Sequence, residues 1–222
     1  MAQKTDPPVD NPSEEPAWKR RAVERSTRAV KLRAEQRVEG FLDAARAIIL
    51  EKGTTDLTVQ EVVDRSRQSL RSFYQHFDGK HELLLALFED ALRRTAEQIR
   101  AAASGEPDPL GRLKVAVVLL FELCRPDPAA RRPLFTDLAP QLIISHPAEV
   151  RIAHAPLFVL FTELLAAAAE RGALRTATTP RRAASLTVQT VMFTAQSSGR
   201  DEAHPLTAEE VWDFCAGGLV GR

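Results

Sequence analysis

Residues 58–77, TVQEVVDRSRQSLRSFYQHF, form two short helix-like pieces with room for only a tight turn between them. On a wheel of ~100° per residue, Val59, Val62, Val63 and Ser66 of the first piece share one side, and Gln60, Glu61, Asp64 and Arg65 the other. Thr58 followed by Glu61 has capping-box spacing: the threonine oxygen and the glutamate side chain satisfy backbone N–H groups left unpaired at a helix start. The second piece places Leu70, Phe73, Tyr74 and Phe77 on one face and Arg71, Ser72, Gln75 and His76 on the other, with Ser69 at the N-cap position. No acidic residue occurs from Arg65 through Phe77, while Arg65, Arg67 and Arg71 are positive. Wet side chains of this kind suit phosphates and base edges. Two readings fit the pair: a helical hairpin of any all-α protein, or a helix-turn-helix whose second helix enters a DNA major groove.

The flanks extend the pattern. Upstream, Val38, Phe41, Leu42, Ala45, Ile48 and Ile49 follow the spacing of a strongly amphipathic helix, and Gly53 sits where a C-cap glycine belongs. Downstream, a further helix opens at Gly79 or Lys80, with Leu83, Leu84, Leu87, Phe88 and Ala91 as its apolar stripe. The sum is a bundle of three helices leading into a connecting fourth.

Thr58, Val59, Val62, Val63, Ser69, Tyr74, His76, Phe77, Lys80, Glu82 and Leu83 together resemble the signature of the TetR-type transcriptional repressors, over roughly residues 37–85. Beyond that stretch only helix order and length are similar. One position departs from the family: the turn residue that is commonly glycine is Arg67, preceded by Ser66 where alanine is common. Glycine relieves a tight backbone there, so an altered turn is expected. The resemblance implies a recognition helix over Ser69–His76, with Arg71 and Ser72 reading bases and Gln68 joining them at the helix start. It also implies that Thr58, Tyr74, His76 and Lys80 hold phosphates.

The chain has 222 residues, 44% of them hydrophobic, enough to bury a core and divide into a smaller and a larger unit. The formal net charge is zero, which argues against a protein that coats nucleic acid indiscriminately. The charge is unevenly spread: residues 18–100 hold 17 Lys and Arg against 13 Asp and Glu. Residues 1–17 read as a disordered, proline-rich tail and 18–36 as a basic arm. Lys19, Arg20, Arg21, Arg25, Arg28, Lys31, Arg33 and Arg37 lie in or beside that arm. Such a run is either a solvated helix face or an arm that adds phosphate contacts or enters a minor groove; its place before a DNA-binding unit favours the arm, with Arg28, Lys31, Arg33 and Arg37 as candidate contacts. The DNA-binding domain is placed at 37–84 and a helical effector-binding and dimerisation domain at 85–222. Cys124 and Cys215 are the only cysteines, too few for a disulfide framework. No apolar leader and no 18-residue apolar run is present, so a cytoplasmic protein without membrane contact is expected.

Prolines punctuate the second domain. Asp108-Pro109, Asp127-Pro128, His146-Pro147 and Thr179-Pro180 mark helix starts, and Thr207 with Glu210 makes another capping box. Helices are expected near 109–124, 128–143 with a break around Pro140, 147–171, 180–197 and 207–219. The helix containing Leu157, Phe158, Val159, Leu160, Phe161, Leu164 and Leu165 is apolar round most of its circumference, as is the one containing Leu186, Val188, Val191, Met192 and Phe193. At least two faces of each must be buried. A monomer with a thick core satisfies this, and so does a homodimer; the resemblance implies a dimer whose last two long helices form a four-helix bundle. It also implies a small-molecule effector pocket, for which Val118, Leu119, Phe121, Leu134, Phe135, Leu142, Phe158, Phe161, Met192 and Phe193 are candidate linings for a largely apolar ligand. The same residues at helical spacing also read as plain core.

No catalytic motif occurs, and the histidines at 76, 81, 146, 154 and 204 lack metal-ligand spacing; they read as DNA contact, helix start and surface. No cofactor is expected. The overall expectation is an all-α, ligand-responsive repressor that binds a palindromic, double-stranded DNA operator as a homodimer. The alternative is a helical ligand- or partner-binding protein that does not read DNA, for which Arg67 in the turn is the best support.

Overall fold

The protein, described by a computed structural model over residues 16–125, 134–139, 142, 146–175, 179–197 and 205–220, is all-helical apart from an isolated antiparallel bridge between Leu174 and Val220. Helix α1 spans Ala17–Lys52, α2 Val59–Ser66, α3 Leu70–Tyr74 and α4 Lys80–Ser104. Then come α5, Pro109–Cys124, a short π-helical turn at Leu134–Leu138, α6, Pro147–Ala153, and α7, Ala155–Glu170. Helices α8, Pro180–Ser197, and α9, Ala208–Leu219, complete the described chain.

Local signals set most of these boundaries. Gly53 ends α1 in a left-handed conformation, φ 67°, and its N–H bonds the carbonyl of Ile49. Thr58 and Glu61 form the reciprocal capping box at the start of α2, and Thr207 and Glu210 repeat it at α9. Asp108 caps α5 by accepting from the Gly111 N–H at 2.9 Å, with Pro109 at the first helical position.

Three expectations are corrected. Helix α1 begins at Ala17, not near Val38, so the basic stretch is a continuous helical extension of the supporting helix; residues 17–36 add roughly 30 Å at 1.5 Å per residue. No proline or glycine interrupts the chain between Ala17 and Gly40, and the extension is exposed at every position but Ala34. The helix expected over 147–171 is two helices, α6 and α7, bent by 49° at His154. Pro156 explains the break, because it lacks an N–H and its ring conflicts with the carbonyl four residues back, on Ile152. The apolar circumference of α7 is covered only in part by its own chain: Leu157, Leu160, Phe161 and Leu165 are buried with α4, α5, α6 and α8 packed around them, whereas Phe158 and Leu164 are half-buried and Val159 is 53% exposed. The helix expected over 128–143 lies largely outside the described residues. No single helix among the described residues is long and apolar enough to cross a membrane.

One apolar core joins the three-helix unit to the larger one. Phe41, Phe73, Leu83, Leu87 and Phe88 continue into Ile99, Leu113, Leu120, Phe121 and Phe161, each no more than 1% exposed. Helix α4 runs through both parts, so it contributes to the packing of each.

Candidate DNA interface and effector cavities

The turn between α2 and α3 keeps its length without glycine. Arg67 takes up the left-handed conformation itself, at φ 56° and ψ 33°, with its N–H on the Asp64 carbonyl at 3.3 Å. An L-residue pays roughly 1–2 kcal/mol in that region, and the core beneath holds it there. Phe73 and Phe77 stand against Phe41 with ring centroids 5.4 and 6.2 Å away. Because α3 is only five residues long, that aromatic pair takes up its buried side. Leu70 and Tyr74, which the pattern placed on the same apolar face, are 44% and 56% exposed.

Five candidate DNA-contact residues meet at one place. Arg37 of α1 and Gln68, Ser69, Arg71 and Ser72 line a concavity of about 330 Å3, together with Gln75. Pattern reading missed Gln75 as a contact, although it lies four residues, one helical turn, beyond Arg71. Arg71 is exposed and has no ion pair among the described residues. Arg28, Arg33 and Arg37 are likewise exposed, and Lys31 faces Glu35 at 3.8 Å.

Other candidates are committed elsewhere. The Gln68 side-chain amide donates to the Arg37 carbonyl at 2.9 Å, so it braces the turn against α1 and is not free to read a base. Ser69 accepts from the Ser72 N–H at 3.0 Å as the cap of α3. The Thr58 hydroxyl accepts from the Glu61 N–H and donates to the Glu61 carboxylate at 3.0 Å, which leaves it no proton for a phosphate. Hydrogen bonds from Lys52 and from Thr58 hold the Glu61 carboxyl down at about 2. Lys80 is paired with Asp56 at 3.2 Å. The Ser72 hydroxyl oxygen and His76 Nε2 are buried without a hydrogen-bond partner, so in this state neither faces a base or a phosphate. Among the residues expected to touch DNA from α3 or its end, Arg71 and Tyr74 stand open to solvent.

The candidate effector linings also divide. Phe121, Phe161 and Leu142 are plain core, at most 1% exposed. Val118, Leu119, Leu134 and Phe135 are half-buried against the core and line neither of two cavities beside α8. Phe135 instead meets Phe88 edge-on, ring centroids 6.0 Å apart. Phe158, Met192 and Phe193 do line an inner cavity of about 380 Å3, with Pro147, Val150, His154 and Val188. An outer cavity of about 590 Å3 adjoins it, and Arg151, Phe158 and Gln189 line both. His154, read from sequence as a surface or helix-start histidine, is half-buried between Phe88 and Phe158. Burial pushes its pKa below the usual histidine value, against the opposing pull of the Val150 carbonyl on Nδ1 at 2.7 Å. No sequence signal marked it, since its partners are brought by α4 and by the bend at Pro156.

Residues 41–87 match the family model of the bacterial regulatory proteins of the tetR family. Over those residues the chain is similar to the N-terminal domain of that family. Among curated relatives, the HTH-type transcriptional activator FasR of Mycolicibacterium smegmatis is 28% identical over 110 residues, half of each chain. The HTH-type regulator YvdT of Bacillus subtilis is 31% identical over 70 residues, 32% of this chain and 36% of that one. The match thus spans about half the length of the first relative and about a third of the second. Among solved structures, Thermus thermophilus FadR, a TetR-family repressor in complex with lauroyl-CoA, superposes with TM-score 0.66 at 20% identity over 83% of this chain and 96% of that one.

An ion-pair cluster and a histidine stack are among the contacts that tie the three-helix unit to the rest. Asp90 of α4, its side chain 10% exposed, accepts from Arg46 of α1 at 2.8 Å and from Arg94 at 2.7 Å, and also pairs with Arg93. Burial pushes its carboxyl up, but the Arg94 and Arg93 hydrogen bonds outweigh it and hold it below the usual carboxylate value. At the other contact, His81 in the first turn of α4 and His146 at the start of α6 stack with ring centroids 4.0 Å apart.

Proposed function

We propose that this protein is a TetR-type transcriptional repressor that binds a palindromic operator as a homodimer and is released by a largely apolar small molecule. The observation that carries the reading is the concavity at the head of α3, where unpaired Arg71 and Arg37 converge with Gln75. A guanidinium facing solvent there has the reach and donors for a guanine edge, and the exposed cations of α1 extend the positive surface toward neighbouring phosphates.

Dimerisation is proposed through α8 and α9. Leu186 and Phe193, seven residues apart on α8, are 64% and 73% exposed, and Phe214 on α9 is 75% exposed. Large apolar side chains left bare on the last two helices favour a two-fold partner bearing the same patch. Two-fold symmetry then asks for half-sites about one helical turn apart.

Release follows from the contacts of α4. Helix α6, which contributes Pro147, Val150 and Arg151 to the cavities, also begins at the His146–His81 stack. An effector that binds better when α6 is displaced shifts α4, and the Asp90–Arg46 clamp carries that shift to α1. FadR's lauroyl-CoA supports a chain-like apolar effector here as well.

Arg67 in the turn favours the non-DNA-binding alternative less than its sequence position suggested, because the turn it forms has the usual length. Selection of random DNA fragments by the pure full-length protein tests the proposal. A recovered motif with two-fold symmetry and a spacing near 10 base pairs supports it, and recovery of no motif overturns it.

A further inference from the structure

Resting on the ligand-responsive reading above, we propose that the cavities between α6–α7 and α8 take an amphipathic anion: an aliphatic chain in the inner cavity, with its anionic head at Arg151 and Arg181. The two cavities join along Arg151, Phe158 and Gln189, so a single molecule spans both. The inner one, about 380 Å3, falls within the roughly 300–1,000 Å3 typical of ligand sites. Its floor is Phe158, Val188 and Met192, and its one ionisable group besides Arg151 is His154, which burial keeps neutral. Beyond Arg151, at the edge shared with the outer cavity, nothing there compensates a charge, so the part of the ligand that passes it must be apolar.

The outer cavity differs in charge. Arg151 and Arg181 line it and have no acidic partner among the described residues. Glu163 lines it too, but is engaged by Arg100 of α4 at 2.7 Å. The balance at the mouth is therefore positive, and Arg151 stands where the apolar floor ends. Thr162, Ser185 and Gln189 supply neutral hydrogen-bonding groups beside the arginines. A cationic amphiphile would meet two guanidinium groups, and a neutral one would leave them unanswered. The Arg100–Glu163 pair also ties the outer cavity to α4, so an anion competing with Glu163 for the local cations acts on the connecting helix directly.

Calorimetric titration of the full-length protein with decanoate, decanol and decyltrimethylammonium tests this without any operator. Decanoate should bind at least about tenfold tighter than decanol, and the cation weakest. Octanoate should bind weaker than decanoate, by about threefold to fourfold for each methylene removed. Arg151→Gln and Arg181→Gln, both at exposed positions, should bring decanoate to the level of decanol and leave decanol unchanged. Decanoyl-CoA distinguishes the source of the charge: a tighter fit than decanoate that Arg181→Gln removes assigns a phosphate-bearing head, and equal affinity assigns a carboxylate. Equal binding of anion, alcohol and cation, or no binding of any, overturns the proposal. Ligand-responsive repression fails separately, if no small molecule releases the protein from its selected operator.

Discussion

The Gln68 side-chain amide reaches the Arg37 carbonyl at 2.9 Å because residue 40 is glycine: a Cβ there would stand 2.8 Å from Gln68 Nε2. A missing side chain on α1 thus makes room for the brace that fixes the start of the recognition helix. Gly40→Ala should gain roughly 1 kcal/mol of helix propensity and lose the hydrogen bond, worth about 0.5–1.5 kcal/mol, for little net change. In a Gln68→Ala background the same substitution should stabilise by about 1 kcal/mol. Urea midpoints of the four variants check this, and strictly additive values would refute the tie.

Arg67 is the one non-glycine residue with positive φ among the described residues. Arg67→Gly should relieve its strain of roughly 1–2 kcal/mol and give back part through the freer unfolded chain. The expected result is a net stabilisation of about 0.5–1 kcal/mol in chemical denaturation. A destabilised variant would show that the arginine side chain holds the turn in some other way.

Arg71→Ala should cost ~1–3 kcal/mol of operator affinity and relax preference at one base position per half-site. Lys80→Ala should weaken all sequences alike only if Lys80 leaves Asp56 on binding; their ion pair predicts a smaller effect than that of Arg71→Ala. Competition binding against a panel of single-base operator variants separates the two outcomes.

Because the basic stretch is helical, its contacts depend on direction as well as charge. Deleting residues 1–34 should leave the melting temperature nearly unchanged and reduce the magnitude of the salt slope by ~0.9 for each phosphate no longer neutralised. Thr27→Pro, at an exposed position inside α1, keeps every cation but interrupts the helix. It should reproduce much of the deletion's effect. A salt slope unmoved by either change would reduce the extension to a solvated helix face.

Phe193→Glu combined with Phe214→Glu places charge on the exposed apolar faces of α8 and α9 and should yield a folded monomer by sedimentation. Leu165→Glu should instead unfold the chain, since Leu165 is fully buried in its own core. A dimer that survives the first pair would move the interface elsewhere.

His154 has a folded pKa below its ordinary 6.5, so between the two values the unfolded state binds the extra proton. Its contribution to stability is therefore fully present above about 6.5 and is lost as pH falls toward the folded value. The melting temperature should be lower at pH 5.5 than at 7.5, and the part due to His154 should vanish in His154→Leu. An equal pH difference in both proteins would assign the effect to other groups.

What the sequence alone determined is local. The capping boxes at Thr58 and Thr207, the Ser69 cap, the Gly53 stop and the proline starts all act within about four residues, where backbone geometry leaves few alternatives. The family signature over α2 to α4 is legible for the same reason, since spacing within short helices carries it. Burial was legible as a fact about a residue but not about its neighbours: α7 reads as apolar all round, and only packing decided that α4, α5, α6 and α8 cover Leu157, Leu160, Phe161 and Leu165 while Val159 stays exposed. Every corrected site residue except Thr58 and Ser69, whose partners lie three residues away, depends on elements far apart in sequence or on tertiary burial. Gln68 reads as a base contact until α1 brings the Arg37 carbonyl to it, and Lys80 as a phosphate contact until Asp56 comes within 3.2 Å. His154 becomes a half-buried ring with a lowered pKa when the bend at Pro156 sets it between Phe88 and Phe158. A side chain with several hydrogen-bonding options takes the partner that the helix crossings deliver, and those crossings depend on the whole core at once.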